Sequence, residues 1–381
     1  MFKEIVDFIR KTYHSEDFIS LHEPRFIGRE KEYLIDCIDS TFVSSVGKYV
    51  DEFEKKIREY TGAKYAIATV NGTAALHTAL ILAGVKEGDL VITQSLCFVA
   101  TSNAISYQKA TPLYIDVDKE TLGLSPDKLA EYLKENTIIK SDGFCYHKTL
   151  GKKISACLPM HTFGHPVRLD EIQNICAEYN IVLIEDAAES LGSLYKEKQT
   201  GTVGKIGTYS FNGNKTITCG GGGIIVTNDE AIGKRAKHIT TTAKVPHKWN
   251  FVHDEIGYNY RLPNINAALA CAQMENIDSF IAQKREIASA YKNFFQEKNI
   301  TFITEPENCK SNYWLNAILL KDREERDTFL TYTNENKVMT RPSWTLINKL
   351  QMFKYCPTGN LDNAQWIEDR LVNIPSSVII D

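Results

Sequence analysis

Between residues 65 and 230, short solid apolar runs alternate with longer segments whose apolar positions recur at helical spacing. The runs are Tyr65–Val70, Leu90–Thr93, Pro112–Val117, Ile154–Pro159 and Ile181–Ile184, and GTYSF at 207–211 is a further strand. The intervening segments predict helices: AALHTALILAGV from Ala74, then Phe98–Tyr107, 126–136 and Leu169–Tyr179. Strand–helix alternation of this kind builds a mostly parallel sheet flanked by helices. A run such as Ile181–Ile184, apolar at every position, suits a sheet covered on both faces. The fold class is therefore α/β.

Upstream, residues 1–20 predict a short amphipathic helix with Ile5, Phe8 and Ile9 on one side. Glu30–Asp39 and Val50–Tyr60 predict two more helices, the second stopped by Gly62. The segment carrying Pro24 and Gly28 is an arm ahead of the first core strand, of the kind that docks on a neighbour or covers a site. Residues 137–152 predict an irregular polar insertion. Beyond about residue 235 the rhythm changes: an aromatic, polar stretch at 247–263, one long helix from Asn264 to about 295, short strands at Ile300–Ile303 and Tyr313–Leu320, and a helix at 322–336. The expected organisation is an arm and large domain over 1–250 and a smaller α+β domain over 251–381.

Composition narrows the function classes. The 381-residue chain is 43% hydrophobic and 24% charged, with a net charge of −4, so it has no basic field for nucleic acid or an anionic membrane. Nine cysteines are scattered without zinc-ligand spacing, which predicts free thiols and no metal. No apolar stretch approaches the ~18 residues of a membrane helix. The N-terminus is mixed in charge, unlike a secretory signal. The expected location is cytoplasmic.

Candidate chemistry gathers where strands end, because ligands of open α/β sheets bind beyond the carboxyl ends of strands. Asn71-Gly72-Thr73 offers free amides at a helix N-terminus, suited to a phosphate and equally to a plain helix cap. Phe98, just past a strand, suits stacking on a planar ring, though a core aromatic has the same appearance. Glu185 and Asp186 emerge from a buried strand, where an unpaired carboxylate is expensive, so a cation or an open rim must compensate Asp186. A protonated pyridine nitrogen is one such cation. Lys215 follows in a polar turn before Gly220–Gly223, with Ser210 five residues ahead of it. Read alone, that loop is a Gly-rich hairpin with an exposed lysine. In this order the signals describe a pyridoxal phosphate site in which a lysine binds the cofactor covalently.

NGTAALH, EDAAES, SFNGNK followed by GGGG, and GYNYRLPNINAALA resemble the nucleotide-sugar aminotransferases of the aspartate-aminotransferase fold, fold type I, over essentially the whole chain. LHEPRFIGREKEYLIDCIDSTFVSSVG and SFNGNK look most like the branch that aminates 4-keto-6-deoxy-N-acetylhexosamine nucleotides in legionaminic acid synthesis. The resemblance implies a seven-stranded-type sheet, pyridoxal 5′-phosphate, L-glutamate as amino donor and a nucleotide-linked 4-keto sugar as acceptor. It implies that Lys215 bonds the cofactor and moves the proton, Asp186 pairs with the ring nitrogen, Phe98 stacks, and Gly72, Thr73 and Ser210 hold the phosphate. Asn259 resembles the asparagine that reaches the phosphate from a second subunit, which implies a homodimer with shared sites. Glu189 stands where many relatives carry Gln or His near the cofactor's ring oxygen, and a carboxylate there needs a proton or a donor. His161 either lines the site or is a hydrogen-bonded structural histidine. Arg261 and Lys48 are candidates for a diphosphate, and Trp344 for the sugar nucleotide or the core. The alternatives are the equivalent bacillosamine-pathway enzyme and a non-catalytic regulator on the same fold. A sugar 3-dehydratase would carry histidine in place of Lys215, and a dinucleotide-binding enzyme would need GxGxxG directly after a strand.

Overall fold

The structure, a computed structural model, describes residues 1–379. The apolar runs form one seven-stranded sheet: β1 Tyr65–Thr69, β2 Leu90–Gln94, β3 Thr111–Ile115, β4 Ile154–Cys157, β5 Val182–Asp186, β6 Ile206–Ser210 and β7 Gly223–Thr227. Their order is β3-β2-β4-β5-β6-β7-β1. Only β7 runs against its neighbours, so six strands share a direction and open their carboxyl ends on one rim. Helices cover both faces, as solid apolar strands require. One core holds α3 (Lys48–Thr61) through Phe53 and Ile57, and the opposite one holds α4 (Gly72–Leu82) through Ala75, Leu76 and Ala79.

A second sheet of four short strands, β8 Thr301–Phe302, β9 Asn316–Leu319, β10 Arg341–Pro342 and β11 Leu371–Ile374, carries α11 (Arg323–Glu335). Packing joins segments from either side of residue 250. Helix α1 (Phe2–Tyr13) buries Ile5 and Ile9 in the core of this small layer, with Phe329 and Val372. Helix α9 (Asn264–Met274) packs into the large-sheet core with α3.

Two expectations need correction. The long helix from Asn264 is two helices, α9 and α10 (Ile277–Glu297), broken at Glu275-Asn276. Asn276 sits at φ −112° and turns its side-chain amide back to the Ala272 carbonyl at 3.3 Å, competing with the helical backbone as asparagine does. The 137–152 insertion is not irregular: Thr137–Ile139 pairs antiparallel with Cys145–His147 around a turn in which Gly143 takes φ +81°. Among the described residues no helix is long and apolar enough to cross a membrane, and no group of three or more His, Cys, Asp or Glu could hold a metal ion.

Candidate active site

The strand ends converge on a cavity of about 360 Å³. Its floor begins where β1 passes into α4. Asn71 caps that helix, its side-chain oxygen accepting from the Ala74 N–H at 2.8 Å. The amides of Gly72 and Thr73 fall in the first turn, where a helix offers no backbone acceptor. Gly72 is required by close approach: a Cβ there would lie 2.8 Å from the Ser210 Cβ at the end of β6. Gly72, Thr73 and Ser210 thus line one end of the cavity together.

Asp186 ends β5 beside this corner, 2% exposed. Its Oδ2 accepts from the Thr101 hydroxyl at 2.7 Å and its Oδ1 from the Ala188 N–H at 3.2 Å. A carboxylate offers about four acceptor positions, so capacity is left over. Burial raises the Asp186 carboxyl above its ordinary range, and the Thr101 hydroxyl only partly offsets this. The group asks for a cationic donor.

Lys215 enters from the turn after β6, where its N–H bonds the Asn212 carbonyl at 3.0 Å. Its Nζ lies 3.2 Å from Glu189 Oε1 and 3.9 Å from the centre of the Trp314 ring. Glu189 is 2% exposed, and its Oε2 accepts from the Phe163 N–H at 2.9 Å. Burial pushes the Glu189 carboxyl up to about 7, against the pull of Lys215. Trp314 spends its indole N–H on the Asn214 carbonyl at 2.6 Å, within the lysine's own turn. Asn312 holds this wall to the Glu189 segment by donating to the Glu189 and Leu191 carbonyls, both at 2.9 Å. Phe98, half exposed, and Trp344 complete the lining, their rings 6.3 Å apart.

Other expected residues lie elsewhere. His161 does not reach the cavity wall: it is fully buried, its Nε2 3.0 Å from Glu185 and its Nδ1 accepting from the Val167 N–H, which is the structural alternative. Lys48 faces solvent and pairs with Asp36 at 2.8 Å. Asn259 and Arg261 hydrogen-bond each other at 2.9 Å and run alongside the end of β1, outside the cavity lining. Two contributors escaped sequence reasoning, Thr101 and Trp314. Thr101 lies one helical turn past Phe98, the only local hint of its place. Trp314 is a hundred residues beyond the Lys215 turn and reads there as a strand aromatic. The four glycines after Lys215 serve packing more than a ligand: Gly220 takes φ +78°, and a Cβ on Gly223 would lie 2.4 Å from the Asn71 carbonyl oxygen.

An anion site at a helix start, an under-satisfied buried carboxylate, an aromatic on the rim and a primary amine fit pyridoxal phosphate in one cavity. Residues 25–380 match the DegT/DnrJ/EryC1/StrS aminotransferase family. The chain is 38% identical to GDP-perosamine synthase of Escherichia coli O157:H7, over 94% of this chain and 93% of the relative. It is 34% identical to GDP-perosamine synthase of Vibrio cholerae, over 94% of both. The aminotransferase TlmJ from Streptoalloteichus hindustanus superposes with a TM-score of 0.85 at 23% identity, covering 94% of this chain and 93% of that one, a likeness of fold.

Proposed function

We propose, for a chain that belongs to the DegT/DnrJ/EryC1/StrS aminotransferase family and is a pyridoxal phosphate-dependent transaminase, that the amino group goes from L-glutamate to C4 of a nucleotide-linked 4-keto-6-deoxy sugar. The observation that carries the assignment of residues is the meeting of Lys215, Asp186 and the α4 N-terminus in one cavity. Pyridoxal phosphate, when bound, supplies a conjugated electron sink for the carbon that gains or loses its proton.

In this reading Gly72, Thr73 and Ser210 hold the phosphate with amides and a hydroxyl. Asp186 takes the proton-bearing ring nitrogen as the donor its free lone pairs ask for, and Thr101 keeps its carboxylate aimed. Phe98 covers one ring face. Lys215 would hold the cofactor covalently and, as a free amine, would move the proton at the reacting carbon of the donor or the sugar. Trp314 and Trp344 screen the reacting end from water. Asn259 and Arg261, off this chain's own cavity, fit a homodimer in which they reach the neighbour's phosphate and diphosphate.

GDP is the carrier we favour, because two relatives at 38% and 34% identity are GDP-perosamine synthases. The 4-keto-6-deoxy-N-acetylhexosamine of legionaminic acid or bacillosamine synthesis, UDP- or GDP-linked, is the second reading, supported by the arm and SFNGNK motifs. Incubating the enzyme with L-glutamate and each 4-keto-6-deoxy sugar nucleotide, then weighing products by mass spectrometry, separates them. Amination of the GDP-linked sugar that lacks the N-acetyl group, with little turnover of the N-acetylhexosamine nucleotides, is expected. The reverse preference installs the second reading, and 2-oxoglutarate without any amino sugar removes both.

A further inference from the structure

The Glu189–Lys215 contact is more than a way of paying for a buried charge. Glu189 is enclosed, 2% exposed; the Lys215 amine and the Asp186 carboxylate share its cavity, and the Cys97 thiol, outside the cavity lining, is kept protonated by burial. Its second oxygen is held by the Phe163 N–H, and to deliver that N–H Phe163 takes φ +57°, ψ 15°, a left-handed conformation uncommon for a fully buried aromatic. The carboxyl is thus fixed at both oxygens, one by a permanent amide and one by a lysine whose charge disappears in the reaction.

We propose that Glu189 is the counter-ion of Lys215 in the resting cavity and the base that keeps the lysine's proton inside when the amine bonds to a carbonyl carbon. The atoms balance within the site. The ammonium nitrogen forms a double bond to the carbonyl carbon, and the carbonyl oxygen leaves as water with two of the ammonium's hydrogens. The third hydrogen passes as a proton to Glu189, so one positive and one negative charge vanish together. A carboxylate left ionised there would have lost the cation 3.2 Å from it, in a buried position where charge is costly. Burial of Glu189 points the same way. When the amine is freed, the proton returns to it. An amide in this position would keep one oxygen to accept from the Phe163 N–H and be unable to hold the proton.

The inference rests on Lys215 being the amine that takes up pyridoxal phosphate, and the test separates the two. Pyridoxal phosphate is titrated calorimetrically into cofactor-free enzyme at pH 8 in two buffers of different ionisation heat, which gives protons released per site. Glu189→Gln should release about one more proton per site than the wild type. An infrared difference spectrum of the wild type should gain a protonated-carboxyl band on cofactor binding, and Glu189→Gln should lack it; this reading does not depend on the variant folding. Equal proton counts with no carboxyl band overturn the role of Glu189 while Lys215 still carries the cofactor after reduction. A cofactor that reduces onto another lysine overturns the Lys215 assignment instead.

Discussion

Glu185 and Asp186 are neighbours on one strand and, by strand alternation, point to opposite faces of the sheet. Glu185 meets a complete set of donors: the His161 ring at 3.0 Å and the Gly201, Val203 and Gly204 amides at 2.7, 2.8 and 2.5 Å. Asp186 meets the Thr101 hydroxyl and one amide, and then a cavity. Both are buried carboxylates, and only one has chemistry left to offer. The first bolts the segment 200–204 and His161 to the back of the sheet; the second waits for a donor the chain does not supply. Burial alone therefore marks neither residue as functional, whereas unfilled hydrogen-bonding capacity beside a cavity does.

The contrast can be broken on either side. On the cavity side, Lys215→Ala should cost the largest factor, at least about 10³ in turnover, because in the proposed function both covalent attachment and proton transfer go with the amine. Circular dichroism should show the fold intact; wild-type turnover would exclude Lys215 from the chemistry. Asp186→Asn keeps the size and removes the charge, and turnover should fall by about 10² or more with cofactor still bound. On the other side, Glu185→Ala strands the His161 N–H and three amides in the interior. It should lower unfolding stability by about 3–5 kcal/mol while surviving folded protein keeps its turnover per bound cofactor. Equal damage to chemistry would mean that the two faces are not separable.

Smaller effects sharpen the comparison. A carboxyl that titrates at about 7 in the fold and at 4.5 when exposed binds more protons folded than unfolded between those values. The penalty for ionising Glu189 is thus absent below about pH 4.5 and complete above about 7, reaching about 3 kcal/mol. Glu189→Gln should stabilise the cofactor-free enzyme relative to wild type by an amount that grows as pH rises through this window. Denaturant unfolding at several pH values checks it, and a difference independent of pH would contradict it. Thr101→Val should cost least, about 1–1.5 kcal/mol, or roughly tenfold in turnover, by removing one hydrogen bond from Asp186.

The central sheet was legible because parallel strands covered on both faces are mostly apolar, and runs such as Leu90–Thr93 and Ile181–Ile184 announce that directly. Much of the cavity was legible for a related reason: strand ends are local, and Asn71-Gly72-Thr73, Asp186, Ser210 and Lys215 each follow an apolar run. What stayed hidden depends on distance in the chain. Trp314 joins the lysine turn through one indole hydrogen bond, and nothing near residue 314 signals its partner. His161 looked like a rim residue because it follows a strand, but its partner Glu185 lies on the next strand, on the far face. The helix break at Asn276 was missed because asparagine is a weaker breaker than proline, and the 137–147 hairpin because its two strands are three residues each, too short to show an alternating pattern around the Asp142-Gly143 turn.

The most direct test of the account is to reduce the cofactor-loaded enzyme with borohydride, digest it and map the modified lysine by mass spectrometry. The reduced cofactor should appear on Lys215 alone, with no modification when L-glutamate is added before reduction, because the amine is then free. Modification of any other lysine, or modification of Lys215 that L-glutamate leaves unchanged, would contradict it.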